Sequence, residues 1–206
     1  MSGVPETETI DELHPQNPIN PYGHSKKMVE QIIKDFHHAY DLNYVIFRYF
    51  NAAGCDPERE IGEDHDPETH LIPLILQAAQ DSSKSITVFG TDYDTPDGTC
   101  IRDYIHVNDI SQAHIQGLSL LEKNQSDIFN LGNGEGFSVN DIIEVAKTVS
   151  GKEIDVKYGD RRPGDPPKLI GSMFKANKLL NWNPKFDNIE AIVNTAWNYL
   201  SKKGDN

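Results

Sequence analysis

Residues 43–50, NYVIFRYF, constrain the fold more than any other stretch. Their apolar side chains run on without alternating, the pattern of a strand covered on both faces, as in a parallel sheet. Just before them Met28, Ile32, Phe36 and Tyr40 recur every four positions, with Val29 and Ile33 alongside. That spacing predicts one apolar face on a helix over 25–40, with Asn20 and Pro21 suited to its start. A helix leading into a buried strand implies α/β layering.

The rest of the chain repeats this logic. After an acidic loop, LIPLILQAAQ (71–80) reads as a helix, with Pro73 tolerated in its first turn. SITVFG (85–90) reads as a strand, and IRDYIHV (101–107) alternates like one extended strand. A helix is expected over 109–123, with Asn108 as its cap. DIFNLG (127–132) reads as strand, GNGEG as a glycine loop and 139–150 as helix. Ser138 and Asp141 suggest a capping box there, with Gly151 as the stop. EIDVKY is a further short strand, and helices are expected near 172–180 and 189–202. Residues 1–21 read as loop.

Composition narrows the function. The 206 residues carry a formal charge of −13, so a nucleic-acid partner is not expected. An anionic small molecule remains open if a few arginines converge. Two cysteines, Cys55 and Cys100, make no disulfide framework and suit a reducing cytoplasm. The first residues have neither a basic start nor an apolar run, so no signal peptide is expected, and no segment is long enough to span a membrane.

One pair carries chemistry. Tyr22 and Lys26 stand four apart, on one face of the expected helix. A phenol is a poor base at neutral pH, and a neighbouring ammonium favours its phenolate. Such a phenolate can take a proton from an alcohol while hydride leaves the same carbon. The alternative is a helix-start tyrosine beside a solvated lysine, and the spacing alone does not choose.

The order PYGHSK, RYFNAAG, THLIP, DGTCIRDYIHV, NLGNGEG and RRPGD resembles the nucleotide-sugar branch of the extended short-chain dehydrogenase/reductase family. The resemblance runs from about residue 3 to 200. DGTCIRDYIHV favours the C4-epimerising members over dehydratase and decarboxylase relatives. The resemblance implies a partial Rossmann-like parallel sheet, without its N-terminal strands, and a smaller mixed α/β substrate domain. Residues 1–52 would be a remnant of the NAD-binding domain. Residues 53–206 would mainly bind the nucleotide sugar, with about 104–150 returning to the sheet.

It also implies roles. Tyr22 would be the acid/base and Lys26 its partner on the nicotinamide ribose, with Tyr49 and Phe50 beside nicotinamide and sugar. Asn51 would hold the sugar-nucleotide phosphates, His70 and Leu71 the nucleotide, and Thr87, Val88 and Phe89 would lie along the uridine. Arg102 and Arg162 would clamp the diphosphate, and Asp165 would take the uridine ribose. Leu169 stands where sugar size is gated; leucine there leaves N-acetyl sugars open. The implied reaction interconverts UDP-glucose and UDP-galactose through a 4-keto sugar, with NAD retained and a homodimer expected of the intact member. Without the resemblance, Arg102 and Arg162 read as surface ion pairs.

The sequence departs from the family in one respect. No strand, glycine-rich turn and helix precede Tyr22, and the family's serine or threonine about 25 residues upstream falls before Met1. Ser2 replaces the tyrosine of the family's YG-x-P. The chain therefore matches the C-terminal two-thirds of a member. Poor solubility or self-association is expected, because YVIFRYF would lie near an open sheet edge. A non-catalytic remnant that binds UDP-sugar or a partner subunit is the rival reading. Gly132, Gly134 and Gly136 follow a strand, but G-x-G-x-G is not the dinucleotide fingerprint. EDHDPETH (63–70) clusters Asp64, His65, Asp66, Glu68 and His70; it fits no defined ligand spacing and reads as a solvated acidic loop, with no metal expected. Trp182 and Trp197 read as core.

Overall fold

The computed structural model describes Gly3 and residues 5–204; Ser2 lies outside the described residues. In chain order the elements are α1 (Pro21–Tyr40), β1 (Val45–Tyr49), β2 (Asn51–Ala53), α2 (Leu71–Gln80), β3 (Ile86–Phe89), β4 (Ile101–Arg102) and β5 (Tyr104–His106). There follow α3 (Val107–Leu121), β6 (Asp127–Leu131), β7 (Phe137–Ser138), α4 (Val139–Ser150), β8 (Val156–Gly159), β9 (Lys168–Leu169), α5 (Phe174–Leu180) and α6 (Ile189–Gly204). No helix among the described residues is long and apolar enough to cross a membrane.

The pairing is mostly parallel, as the unbroken apolar run predicts. β1 pairs with β6, β2 with β5, and β3 with β8, all parallel. β4 lies between β7, antiparallel, and β9, parallel. The chain changes partner at two points, one just past the strand expected over 43–50 and one inside the strand expected over 101–107. The run 45–53 leaves β6 at Phe50, whose N–H still donates to the Leu131 carbonyl, and joins β5 at Asn51. IRDYIHV is two strands in two sheets rather than one, broken at Asp103, whose carboxylate turns inward. Within the loop 1–21, Ile10 forms a parallel bridge to Gly171, with hydrogen bonds to Ile170 and Ser172.

Two apolar cores result. In one, Ile72, Ile75 and Leu76 of α2 meet Ile142 and Ile143 of α4 and Ile192 and Val193 of α6. In the other, Phe129 and Leu131 of β6 pack with Ile105, Ala113 and Trp182. Trp182 is fully buried and donates its indole N–H to the Asp109 carbonyl; Trp197 packs half-buried on the first core.

Local signals hold at most ends. Asn20 Oδ1 accepts the Gly23 N–H at 2.8 Å to cap α1, and Ser138 and Asp141 form the reciprocal capping box of α4. Gly151 ends α4 in the left-handed region at φ 64°, a conformation glycine adopts at no steric cost. The cap of α3 is His106 rather than Asn108, because the buried imidazole reaches the Asn108 N–H first.

α1 departs from expectation. Its apolar stripe of Met28, Val29, Ile32, Phe36 and Tyr40 faces solvent. The face toward the body is instead Gly23, Glu30, half-buried Ile33 and Lys34, and His37. Glu30 anchors it: its carboxylate takes a bidentate pair from Arg48 of β1, both contacts at 2.7 Å, and a bond from Gln16. Burial pushes the Glu30 carboxyl up, but these donors outweigh it and hold it below the usual range. A charged pair with every oxygen satisfied thus docks this helix.

Candidate active site

Tyr22 occupies the first turn of α1 and is exposed, with the Lys26 ammonium 5.2 Å from its ring centroid. One helical turn separates them, so the backbone sets this closeness. Tyr49, the last residue of β1, is exposed where the parallel strands end at their carboxyl termini. Open α/β sheets bind ligands at that edge. Phe50 lies over Gly171, where a Cβ would stand 2.3 Å from its ring, so only glycine admits the aromatic side chain. Asn51 opens β2, is exposed, and bonds through its side chain to the Tyr104 phenol, whose pKa burial raises.

A second group gathers around the loop after β8. The Arg162 guanidinium lies 4.0 Å over the Phe89 ring. Arg102 donates to the carbonyls of Ile101 and Pro166 at 2.8 and 2.9 Å and pairs with Asp165 at 3.3 Å. Leu169 stands directly beside Arg102 in the β4–β9 register. Phe89, Arg102, Arg162, Asp165 and Leu169 are therefore one cluster. β3 alternates: Thr87 is half-buried and Phe89 exposed, whereas Val88 points into the first core and offers a ligand only its backbone. Ile19, three residues before Tyr22, reaches Gly164 between Arg162 and Asp165, joining the start of α1 to the arginine loop.

His70 and Leu71 stand at the start of α2, and His70 is its N-cap without a side-chain cap bond. The His70 ring turns instead to Glu63 and Glu68. The loop 63–70 is largely solvated, as expected, with Asp64, His65, Asp66 and His70 exposed; only the Glu63 and Glu68 side chains, 20% and 5% exposed, turn in.

The glycine loop 132–136 is already filled. Asn133 and Gly134 donate their N–H groups to the Asp103 carboxylate at 2.9 and 3.2 Å, and Gly171 adds a third at 3.1 Å. A Cβ on Gly132 would stand 2.3 Å from that carboxylate. These donors hold an internal anion and leave nothing for a pyrophosphate. Burial pushes the Asp103 carboxyl up to about 6, against the three N–H bonds that favour its charged form. The sequence reading missed Asp103, though a signal was present: it shares the alternation phase of Ile101 and Ile105.

His106 is another buried ionisable group that reading passed over. Its Nδ1 accepts the Asn108 N–H, so Nε2 carries the proton and donates to Thr195 Oγ1, which donates to the Ile192 carbonyl. Burial lowers its pKa, and the neutral ring stacks on Phe186 at 3.8 Å.

The model of the NAD dependent epimerase/dehydratase family matches residues 1–132. The chain belongs to this family. The UDP-glucose 4-epimerase of Streptococcus mutans is 50% identical over 97% of this chain and 60% of its own length. That of Halalkalibacterium halodurans is 49% identical over 96% and 59%. The crystal structure of UDP-glucose 4-epimerase from Brucella ovis in complex with NAD superposes with a TM-score of 0.92 at 42% identity, over 96% of this chain and 61% of that one. The Bifidobacterium longum enzyme in complex with NAD+ and UDP does so at 0.92 and 35%, over 98% and 61%. The α/β fold is thus that of the family's epimerase structures, and the chain spans about 60% of the length of the curated relatives it matches.

Proposed function

We propose that this chain carries the nucleotide-sugar site and the Tyr/Lys pair of a UDP-hexose 4-epimerase, interconverting UDP-glucose and UDP-galactose. The observation that carries this is the Tyr22–Lys26 pair on the first turns of α1, with Ile19 just before it lying close to Gly164 in the loop that bears Arg162 and Asp165. The phenol and ammonium, and the exposed Tyr49 at the end of β1, are of the types that fit the nicotinamide–ribose end of NAD. The glycine loop 132–136, closed by Asp103, does not fit its pyrophosphate.

When bound, NAD supplies a hydride acceptor and donor for C4 of the sugar. Tyr22, as the phenolate that Lys26 favours, takes the C4 hydroxyl proton at its phenol oxygen, holds it as the neutral phenol while the sugar is oxidised, and then returns it. Arg102 and Arg162 hold the diphosphate with planar donors, so the 4-keto sugar turns about its phosphate link without leaving. Asn51 and Asp165 add polar contacts to phosphate and ribose, His70, Leu71, Thr87, Val88 and Phe89 line the nucleotide, Phe50 lies beside the sugar, and Leu169 limits its size. In this reading residues 1–52 belong to the cofactor side and 53–206 mainly to the sugar side, with about 104–150 returning to the sheet. The same reading places the protein in the cytoplasm and expects a homodimer of the intact family member.

A second reading, binding of UDP-sugar without turnover, is favoured by the occupied glycine loop. Two measurements test both. UDP should bind the purified chain in calorimetry, about 10- to 100-fold more weakly after Arg102→Ala. Conversion of UDP-galactose with NAD added, lowered about 10²- to 10⁴-fold by Tyr22→Phe, selects catalysis. UDP binding without conversion selects the binding reading, and a folded chain that does neither overturns both.

A further inference from the structure

The loop that leads into α2 brings four side chains to one point: Glu63, His65, Glu68 and His70. Their donor atoms all lie within 4.8 Å of one another. His65 Nδ1 stands 3.0 Å from Glu63 Oε1 and 3.6 Å from Glu68 Oε2. His70 Nδ1 stands 2.6 Å from Glu63 Oε1 and 3.1 Å from Glu68 Oε1. Around an ion with ligand bonds of about 2.1 Å, tetrahedral donors stand about 3.4 Å apart, so these four side chains are near enough to close on one ion with small side-chain adjustments.

Three further observations point to a cation. Glu68 is almost wholly buried, yet its carboxylate is aimed into the cluster, and the N–H groups of Thr69 and His70 fix it there at 2.6 and 2.8 Å. Such outer bonds orient a ligand before the metal arrives. Second, the side chains that face the Glu63 and Glu68 carboxylates are these imidazoles, while Lys203 on α6 pairs with Asp64. One divalent ion would balance the two carboxylates. Third, a cavity of about 70 Å³ opens beside them, walled by Glu63, His65, Glu68 and Tyr199, with room for a water ligand.

We propose that Glu63, His65, Glu68 and His70 bind one divalent transition-metal ion of the zinc class, which pins this loop to the start of α2. Two imidazoles and two carboxylates form a borderline donor set that suits zinc over magnesium or calcium, whose ligands are oxygens. Asp64 and Asp66 take no part, which is why spacing along the chain did not reveal the site. His70 is shared with the nucleotide reading: the ion takes its Nδ1 and leaves Nε2 to the nucleotide, so a titration made without nucleotide tests the ion alone.

The test uses the purified chain, stripped with EDTA and desalted, then titrated with Zn²⁺ by calorimetry and with Co²⁺ by absorption. One ion per chain is expected, with the Co²⁺ spectrum of a four- or five-coordinate nitrogen–oxygen site and no thiolate charge-transfer band. His65→Ala, at an exposed ring whose loss leaves the core intact, should weaken Zn²⁺ binding about 100-fold. Asp64→Asn should bind like the unaltered chain. Zn²⁺ should raise the melting temperature of the unaltered chain and not that of His65→Ala. No stoichiometric binding, unchanged affinity in His65→Ala, or a thiolate band from Cys55 or Cys100 would each overturn the proposal.

Discussion

α1 and α4 are both amphipathic by sequence, and the structure uses them in opposite ways. α4 buries its apolar stripe of Val139, Ile142, Ile143 and Ala146 between α2 and α6. α1 turns its stripe to solvent and docks through a charged pair, Glu30 with Arg48. An apolar stripe therefore states that a helix has a face to cover. It does not state that the chain's own core covers it.

The largest contrast should come from the docking pair. Arg48→Ala leaves the buried Glu30 carboxylate without its main partner and should cost about 3–5 kcal/mol in urea denaturation. Arg48 and Glu30 changed together to methionine should recover most of that loss, because no uncompensated charge remains. If the single change costs under about 1 kcal/mol, α1 is held by something other than this pair.

Next in size, Ile142→Ala on α4 should cost about 2–5 kcal/mol, since its side chain is fully buried. Ile32→Ala, 54% exposed on α1, should stay within about 0.5 kcal/mol in the monomer. A protein-concentration-dependent loss at Ile32 would show that the stripe is covered in solution, and sedimentation measures this directly.

Asp103 gives a pH signature. Its folded carboxyl keeps a proton until about pH 6, whereas an unfolded aspartate releases it near 4. The folded state thus binds more protons between those values. The stability from this group is fully present below about pH 4 and is lost as pH rises through about 6. Comparing urea midpoints at pH 5 and 7, Asp103→Asn should remove that part of the slope. An identical slope in the variant would mean the three N–H donors keep Asp103 ionised throughout.

The smallest contrast lies at the caps. Asn20→Ala should cost α1 about 1 kcal/mol, and Ser138→Ala should cost α4 up to about 2, because Ser138 Oγ also donates to Asp97. Equal costs would mean the Asp97 bond adds nothing beyond the cap.

Periodicity, caps and the glycine stop are interactions within a few residues, so every helix was readable, as were the α/β class and the cores of β1, β3, β6 and β8; the short β2 and β9 were not. The Tyr22–Lys26 pair was readable for the same reason, since one helical turn sets it. The break of IRDYIHV at Asp103 was not readable, because it is decided by N–H groups at 133, 134 and 171. Nor was the reversal of α1, which depends on Arg48 of β1 and on Gln16. The gathering of Glu63 and Glu68 with His65 and His70, and of Phe89 with Arg162, likewise needed the folded loops. What the residues alone determined was local geometry and which faces are apolar. Which face is buried, and which charges meet across the chain, only the tertiary structure decided, because a buried charge is tolerated only where distant groups supply its partners.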